Sequence, residues 1–337
     1  MKLFLKQVGL FVAIGFIPAF AVLLAGYLYF DPFKVLYSYS NYSYSPPAVN
    51  QNRDYISTEM FIKNNPKYKY NSFIFGSSRS AAFRPSAWRK YLPSGSSPFS
   101  FDAAGETVYG LYTKIRFLDS MHTPINNALI LIDRDWSFRM YKNDYGHLFI
   151  KHPAVSGESP FIFQKTFFWA YLDNNFLKSY YGYKLTHTYK KWMGAVLLNT
   201  TVSFNDTTNE VNYVDIEALA EGDPAKYYGT KKAVFYARKG ESTDSVSHID
   251  ENYIPMLQGM KEILERNKTD YRVILNPTYD EKKFSASDMK ILHGLYGSRL
   301  YDFTGKNKFT GSITNFYETS HFRPHVGDSI LEIIYRK

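Results

Sequence analysis

The residues best suited to chemistry lie in two short blocks far apart in the chain. Gly76-Ser77-Ser78-Arg79-Ser80 follows the apolar run Ser72 to Phe75, and Glu318-Thr319-Ser320-His321-Phe322-Arg323-Pro324 lies near the C-terminus. A small-residue turn after a strand exposes a hydroxyl and turns its backbone N–H toward whatever reacts there. A carboxylate three residues before a histidine orients the imidazole through Nδ1 and leaves Nε2 for a nucleophile, which is the base and orienter that a serine needs. Each block alone is a weak signal. Gly and Ser are ordinary turn residues, and Glu-x-x-His also suits a surface pair or half of a metal site. No second cluster of ligands accompanies it, so neither a metal nor another cofactor is expected. The chain contains no cysteine, which excludes a thiol nucleophile, a Cys-ligated zinc and a disulfide framework.

Bringing these blocks together requires a scaffold, and the chain reads as alternating strands and helices. Ile56, Met60 and Ile62 give loosely helical spacing over Asp54 to Lys63, ahead of a strand at Ser72 to Phe75. Val108, Leu111, Tyr112, Ile115 and Leu118 share one helical face, and the continuous apolar run Ala128 to Ile132 suits a strand buried on both sides. In the last third, Asp250 is the expected cap of a helix from Glu251 to Arg266, with Ile254, Leu257, Met260, Ile263 and Leu264 facing inward. Strand Tyr271 to Leu275, a helix opened by Ser285 and Asp288 in the capping-box pattern, and strand Leu300 to Phe303 follow. The expected class is α/β, a three-layer α/β/α sandwich around a parallel sheet. Ligands of such sheets bind beyond the carboxyl ends of the strands, where Gly76-Ser77-Ser78 falls.

Three stretches depart from this rhythm. Val8 to Phe30 is a run of 23 residues without a charge, preceded by Lys2 and Lys6. About 20 apolar residues cross a bilayer core. Ala19-Phe20-Ala21 resembles a signal-peptide cleavage site, but the run stays apolar past it and is too long for a typical signal core. Residues 1–30 are therefore read as an uncleaved single-pass anchor with a cytoplasmic N-terminus and an extracytoplasmic remainder. Residues 31–51, with alternating Tyr and Ser and closing on Pro46-Pro47, read as an extended linker, and 52–337 as one domain. That domain is interrupted at about 138–247 by an insertion crowded with Phe161, Phe163, Phe167, Phe168, Trp169, Tyr171, Tyr180, Tyr181, Tyr183 and Trp192. It is expected to pack over one end of the sheet, its rings forming either its own core or a wall that stacks sugars. Lys and Arg number 40 against 31 Asp and Glu, scattered without a dense basic tract. Nucleic acid is not an expected partner, whereas an anionic envelope surface or polysaccharide is compatible.

Taken together, the blocks resemble the SGNH/GDSL hydrolase superfamily. Gly76-Ser77-Ser78-Arg79 corresponds to its Gly-Asp-Ser-Leu block, which implies Ser78 as nucleophile. Ala103-Ala104-Gly105-Glu106-Thr107 is similar to the second block, which implies an oxyanion hole from the N–H groups of Ser78 and Gly105. Glu318 to His321 matches the final Asp-x-x-His with Glu in place of Asp. The third block departs: the strand ends Leu131-Ile132-Asp133-Arg134-Asp135-Trp136, without the family's Asn donor. Losing one such donor costs about 2.7–4 kcal/mol, so Arg134 is a candidate replacement unless the donor is dispensed with. Arg79, Asp133, Arg134 and Arg323 are candidate contacts to substrate or oxyanion.

An anchored variant with Gly-Ser-Ser is similar to the branch that includes the teichoic acid D-alanine transfer protein and the alginate-type polysaccharide O-acetyltransferases. Tyr301-Asp302-Phe303-Thr304-Gly305 also looks like this branch, although by its residues it reads as a strand end where Asp302 caps amides. The resemblance implies a serine acyltransferase that O-acetylates a cell-envelope or exported polysaccharide, beside a multi-spanning membrane-bound O-acyltransferase. The alternatives are an esterase using water and a non-catalytic glycan-binding scaffold.

Overall fold

Five short segments pair into one parallel sheet, which the computed structural model presents within residues 1–139, 142 and 146–336. The strands are β1 (Ser72–Phe75), β2 (Pro98–Ser100), β3 (Asn127–Ile132), β4 (Asp270–Leu275) and β5 (Leu300–Asp302), in the spatial order β2-β1-β3-β4-β5. Every pairing is parallel, with Phe73 opposite both Phe99 and Ala128, and Ala128 opposite Tyr271. The chain winds outward from β1 to β2 and then returns to β3. The carboxyl ends of β1 and β3 thus flank the point where the winding reverses, where such sheets open a crevice.

Side chains alternate across the strands into two cores. Phe73, Phe75, Ala128, Ile130, Ile132, Val273 and Leu275 face one layer, while Ile74, Leu129, Leu131 and Ile274 face the other. The helices longer than one turn, numbered in chain order, are α1 (Leu3–Phe30), α2 (Arg53–Tyr68), α3 (Val108–Ser120), α4 (Pro160–Tyr171), α5 (Asn174–Thr186), α6 (Val214–Gly222), α7 (Pro224–Thr230), α8 (Ile254–Arg266), α9 (Ala286–Tyr296) and α10 (Pro324–Tyr335). Helices α2, α3, α8 and α9 cover the first face, and α10 with Phe83 and Trp88 covers the second. The protein is mixed α/β, with both faces of a parallel sheet buried.

Helix ends follow the local chemistry in most places. The Asn52 side chain accepts from the Tyr55 amide at the start of α2, and Ser285 accepts from the Asp288 amide at the start of α9. The expected cap at Asp250 is corrected: α8 begins at Ile254, and Asp250 instead accepts from the Asn252 amide in a preceding turn. Asp302 does cap the Thr304 amide and hydroxyl at the end of β5. Strand β2 carried no sequence signal, because three residues with a proline at an edge show no usable period.

Helix α1 has 28 residues and is long and apolar enough to span a membrane. A wider helical turn at Val12–Phe16 precedes Pro18, whose ring displaces the carbonyl four residues back. The expected linker at 31–51 is a correction. Asp31, in the left-handed conformation, accepts from the amides of Val35 and Leu36 at 2.9 and 3.0 Å and from the Tyr39 hydroxyl. Phe33, Val35 and Tyr42 enter the main core, so this stretch joins α1 to the domain as packed structure. The aromatic part of the insertion also differs from expectation. Phe163, Phe167, Tyr171, Phe176 and Tyr180 are buried, and α4 and α5 pack against the C-terminal half of α1 rather than over the sheet end.

Candidate active site

Strand β1 delivers Gly76 and Ser77 to the crevice, and a tight helical turn, Ser78–Ala82, begins there. Ser77 shapes that turn. Its hydroxyl donates to Asp133 Oδ2, accepts from the Arg79 amide at 3.2 Å, and its carbonyl accepts from the Ser80 amide. Ser78 is the first residue of the turn, so its N–H has no partner within it and points out of the turn's N-terminus.

The partner loop is set by the C-terminal helix. Pro324 starts α10, and just before it a bridge between Phe316 and Phe322 closes the loop that carries Glu318 and His321. Phe316 and Phe322 are buried, and the Tyr317 amide donates to the His321 carbonyl at 2.9 Å. Helix α7 holds the loop from outside, where the Tyr227 and Tyr228 hydroxyls donate to the carbonyls of Tyr317 and Phe316 at 2.9 Å each. Helix α10 also presses on the serine turn at Gly327. A Cβ there would lie 2.0 Å from the Ala82 carbonyl oxygen, so only glycine permits this approach.

These elements bring the three predicted residues together. Ser78 Oγ lies 2.7 Å from His321 Nε2, and His321 Nδ1 is hydrogen-bonded to Glu318 Oε1. Glu318 Oε2 accepts from the Ser320 amide at 2.7 Å. Burial works against the Glu318 carboxylate, but the hydrogen bond and charge of His321, the Ser320 amide and the Arg79 charge hold it below the usual glutamate range. With Nδ1 donating to that carboxylate, Nε2 is left to accept from the Ser78 hydroxyl. The extra methylene of Glu relative to Asp is taken up by the loop, and the contact is made.

Arg79 joins the two halves. Its Nε donates to the Ser320 carbonyl at 2.5 Å, and its Nη1 and Nη2 bond both oxygens of Asp135 at 2.6 and 2.8 Å. Nη1 also stands 3.1 Å from Asp133 Oδ1, which accepts from Asn276 Nδ2 at 2.8 Å. Against the effect of its burial, Asp135 is held below the ordinary aspartate range by Arg79. Arg79 and Asp133 therefore brace the backbone under Ser78 as buried, paired groups. Both also line the cleft beside Ser78 that holds Gly105 and Trp136.

Gly105 lies across the crevice from Ser78 with a φ of 54°, and its carbonyl accepts from Trp136 Nε1 at 2.6 Å. The loop it sits on is fixed by a charge quartet that the sequence did not reveal. Lys114 reaches Asp54 at 3.1 Å and Glu106 at 2.9 Å, while Lys151 pairs with the same two carboxylates, all four being buried. The visible trace was Lys114 on the apolar face of α3, three residues after Leu111 and four before Leu118.

Two predicted contacts lie elsewhere. Arg134 is spent on Asp244 at 2.6 Å and Asp280 at 2.5 Å and lines neither cleft at Ser78, so it does not replace the missing Asn. Arg323 is 7% exposed and pairs with Glu217 at 2.7 Å, so it orients a carboxylate rather than binding an anion. No group of His, Asp and Glu suited to a metal occurs among the described residues.

Two clefts meet at the nucleophile and share only Ser78 and His321. One, of about 390 Å³, is lined by Tyr213, Glu217, Glu221 and Tyr317. The other, of about 470 Å³, is lined by Gly105, Trp136, Arg139 and Phe149. The insertion thus walls the first cleft through residues 211–221, whereas the aromatics between Phe161 and Trp192 line neither. No known protein-family model matches the chain, and no curated protein matches it.

Proposed function

We propose that this protein is a membrane-anchored serine acyltransferase of SGNH type, acting outside the cytoplasm on a cell-envelope or exported polysaccharide. The carrying observation is the relay Ser78–His321–Glu318, whose spacing and order suit a hydroxyl nucleophile with an oriented base. In the first step Ser78 Oγ attacks the acyl carbonyl of the donor while His321 Nε2 takes its proton. The N–H groups of Ser78 and Gly105 hold the oxyanion, and the departing donor oxygen or sulfur takes from His321 the proton that Ser78 gave up. In the second step His321 takes the proton of an acceptor hydroxyl, which attacks acyl-Ser78. The ester is released, and the Ser78 oxygen takes the proton back.

Two clefts converging on one hydroxyl support a reaction with two bound partners, one acyl donor and one polyol acceptor. The α/β frame with its β2-β1-β3-β4-β5 order supports the SGNH-like, flavodoxin-like sandwich reading. Lys2 and Lys6, ahead of the uncharged run Val8 to Phe30, support a cytoplasmic N-terminus. A multi-spanning membrane-bound O-acyltransferase is the partner this topology suits, since it would present the acyl group at the bilayer surface.

Hydrolysis is the second reading, because the His321 side chain is 33% exposed and water reaches the relay. The scaffold reading loses ground because a binding surface has no use for an oriented serine–histidine pair. The test is the acyl content of the envelope polysaccharide in cells carrying Ser78→Ala. Transfer predicts loss of the acyl groups, and unchanged acyl content overturns it.

A further inference from the structure

The aromatic excess of the insertion has a use that neither cleft explains. In α4, Phe163, Phe167 and Tyr171 recur every four residues and form the buried stripe. On the outer side of the same helix, Phe161 is 74% exposed, Ile162 49% and Trp169 62%, with the exposed Lys165 among them. Large apolar side chains gathered this way mark a surface meant for an apolar partner.

The contacts of α1 identify that partner. Phe168, adjacent to Trp169, meets Phe20 edge-on at 5.7 Å and Tyr27 at 5.3 Å, while Tyr180 and Tyr181 meet Phe30 at 6.2 Å. A membrane-spanning segment takes about 20 residues at 1.5 Å each. Counted from either Leu3 or Val8, Phe20 falls inside the span, so its neighbour Phe168 sits at the depth of the acyl chains. Between Ser159 and Lys191 there are five lysines and a single aspartate. Exposed Trp and Phe with flanking lysines are what the boundary between acyl chains and anionic headgroups accepts.

We infer that the outer face of α4, centred on Phe161, Ile162 and Trp169, is immersed in the lipid leaflet nearest the domain, so that the protein rests in the membrane as well as hanging from α1. The inference rests on reading α1 as a membrane span. Seated this way, the domain cannot swing freely about residue 31, and the Ser78 clefts keep a fixed height above the bilayer.

The test uses the full chain reconstituted into phosphatidylcholine–phosphatidylglycerol vesicles, with and without bromine on the acyl chains. The chain is expected to float with the vesicles, and its tryptophan emission to be quenched by the brominated lipid. Trp169→Phe is expected to lose most of that quenching while floating unchanged. Co-flotation with a quenching that Trp169→Phe leaves intact overturns the inference alone, and is also the result expected if this face docks a membrane protein instead. Failure to float overturns the span reading and the inference with it.

Discussion

Arg79 Nε donates to the Ser320 carbonyl at 2.5 Å, so the side chain that follows the nucleophile grips the backbone that precedes the base. The same guanidinium holds Asp135 with both terminal nitrogens. One planar group thus sets the distance between the turn of Ser78 and the loop of His321, a task that needs several donors in fixed directions.

Arg79→Lys should therefore fail to restore the site. A single ammonium cannot reach the Ser320 carbonyl and both Asp135 oxygens together. The expected result is a fall in the rate of Ser78 acylation of roughly 10²-fold, the size typical of a catalytic group displaced by about 1 Å. Circular dichroism should stay native, and single-turnover acylation kinetics provide the measure. An unchanged rate would mean that the two loops hold their spacing without Arg79.

Lys114→Met removes one cation from the buried quartet and leaves Asp54 and Glu106 sharing Lys151. Breaking a buried ion network from one side costs about 3–5 kcal/mol. For a domain of this size that lowers Tm by roughly 10 °C. Thermal unfolding followed by circular dichroism checks it. The loss should also loosen Gly105, next to Glu106, and slow acylation beyond what stability alone explains.

Gly327→Ala places a methyl group 2.0 Å from the Ala82 carbonyl oxygen. Helix α10 and the serine turn must then separate, at an overpacking cost of about 1–3 kcal/mol. Since Ser78 begins the turn and the loop of His321 leads directly into α10, acylation should slow together with the loss of stability. Denaturant titration and acylation rates on the same sample test the linkage.

The depressed Glu318 carboxyl sets a pH window. Its folded pKa is below the ordinary 4.5, so ionised Glu318 contributes stability that is fully present above the unfolded value. That contribution is lost as pH falls through the lower folded value. Glu318→Gln should be less stable than the native chain at neutral pH, with the difference closing as pH falls below the ordinary glutamate range. Denaturant midpoints across that range give the result, and a difference independent of pH would contradict the ionic role.

Much of this arrangement was legible in the chain before folding. Ser72–Phe75 and Asn127–Ile132 announced themselves because strands buried on both faces carry uninterrupted apolar side chains. Ser78, Glu318 and His321 were legible because a nucleophile, an orienter and a base must be of these types, with the last two one turn apart. Supporting residues were not. Arg79 and Arg134 look alike in sequence, yet one braces the active turn and the other is bound by Asp244 and Asp280, partners more than a hundred residues away. The stretch 31–51 looked like a linker because alternating Tyr and Ser has no helical period. It packs because Asp31 satisfies its amides and Phe33, Val35 and Tyr42 find a core supplied by distant segments.

The most direct measurement of the central claim is covalent capture of the nucleophile by a fluorophosphonate probe, with the modified residue mapped by mass spectrometry. The native protein should label on Ser78 alone, Ser78→Ala should not label, and His321→Ala should label at least roughly 10³-fold more slowly. Labelling at another serine, or no labelling of the folded native chain, would contradict the account.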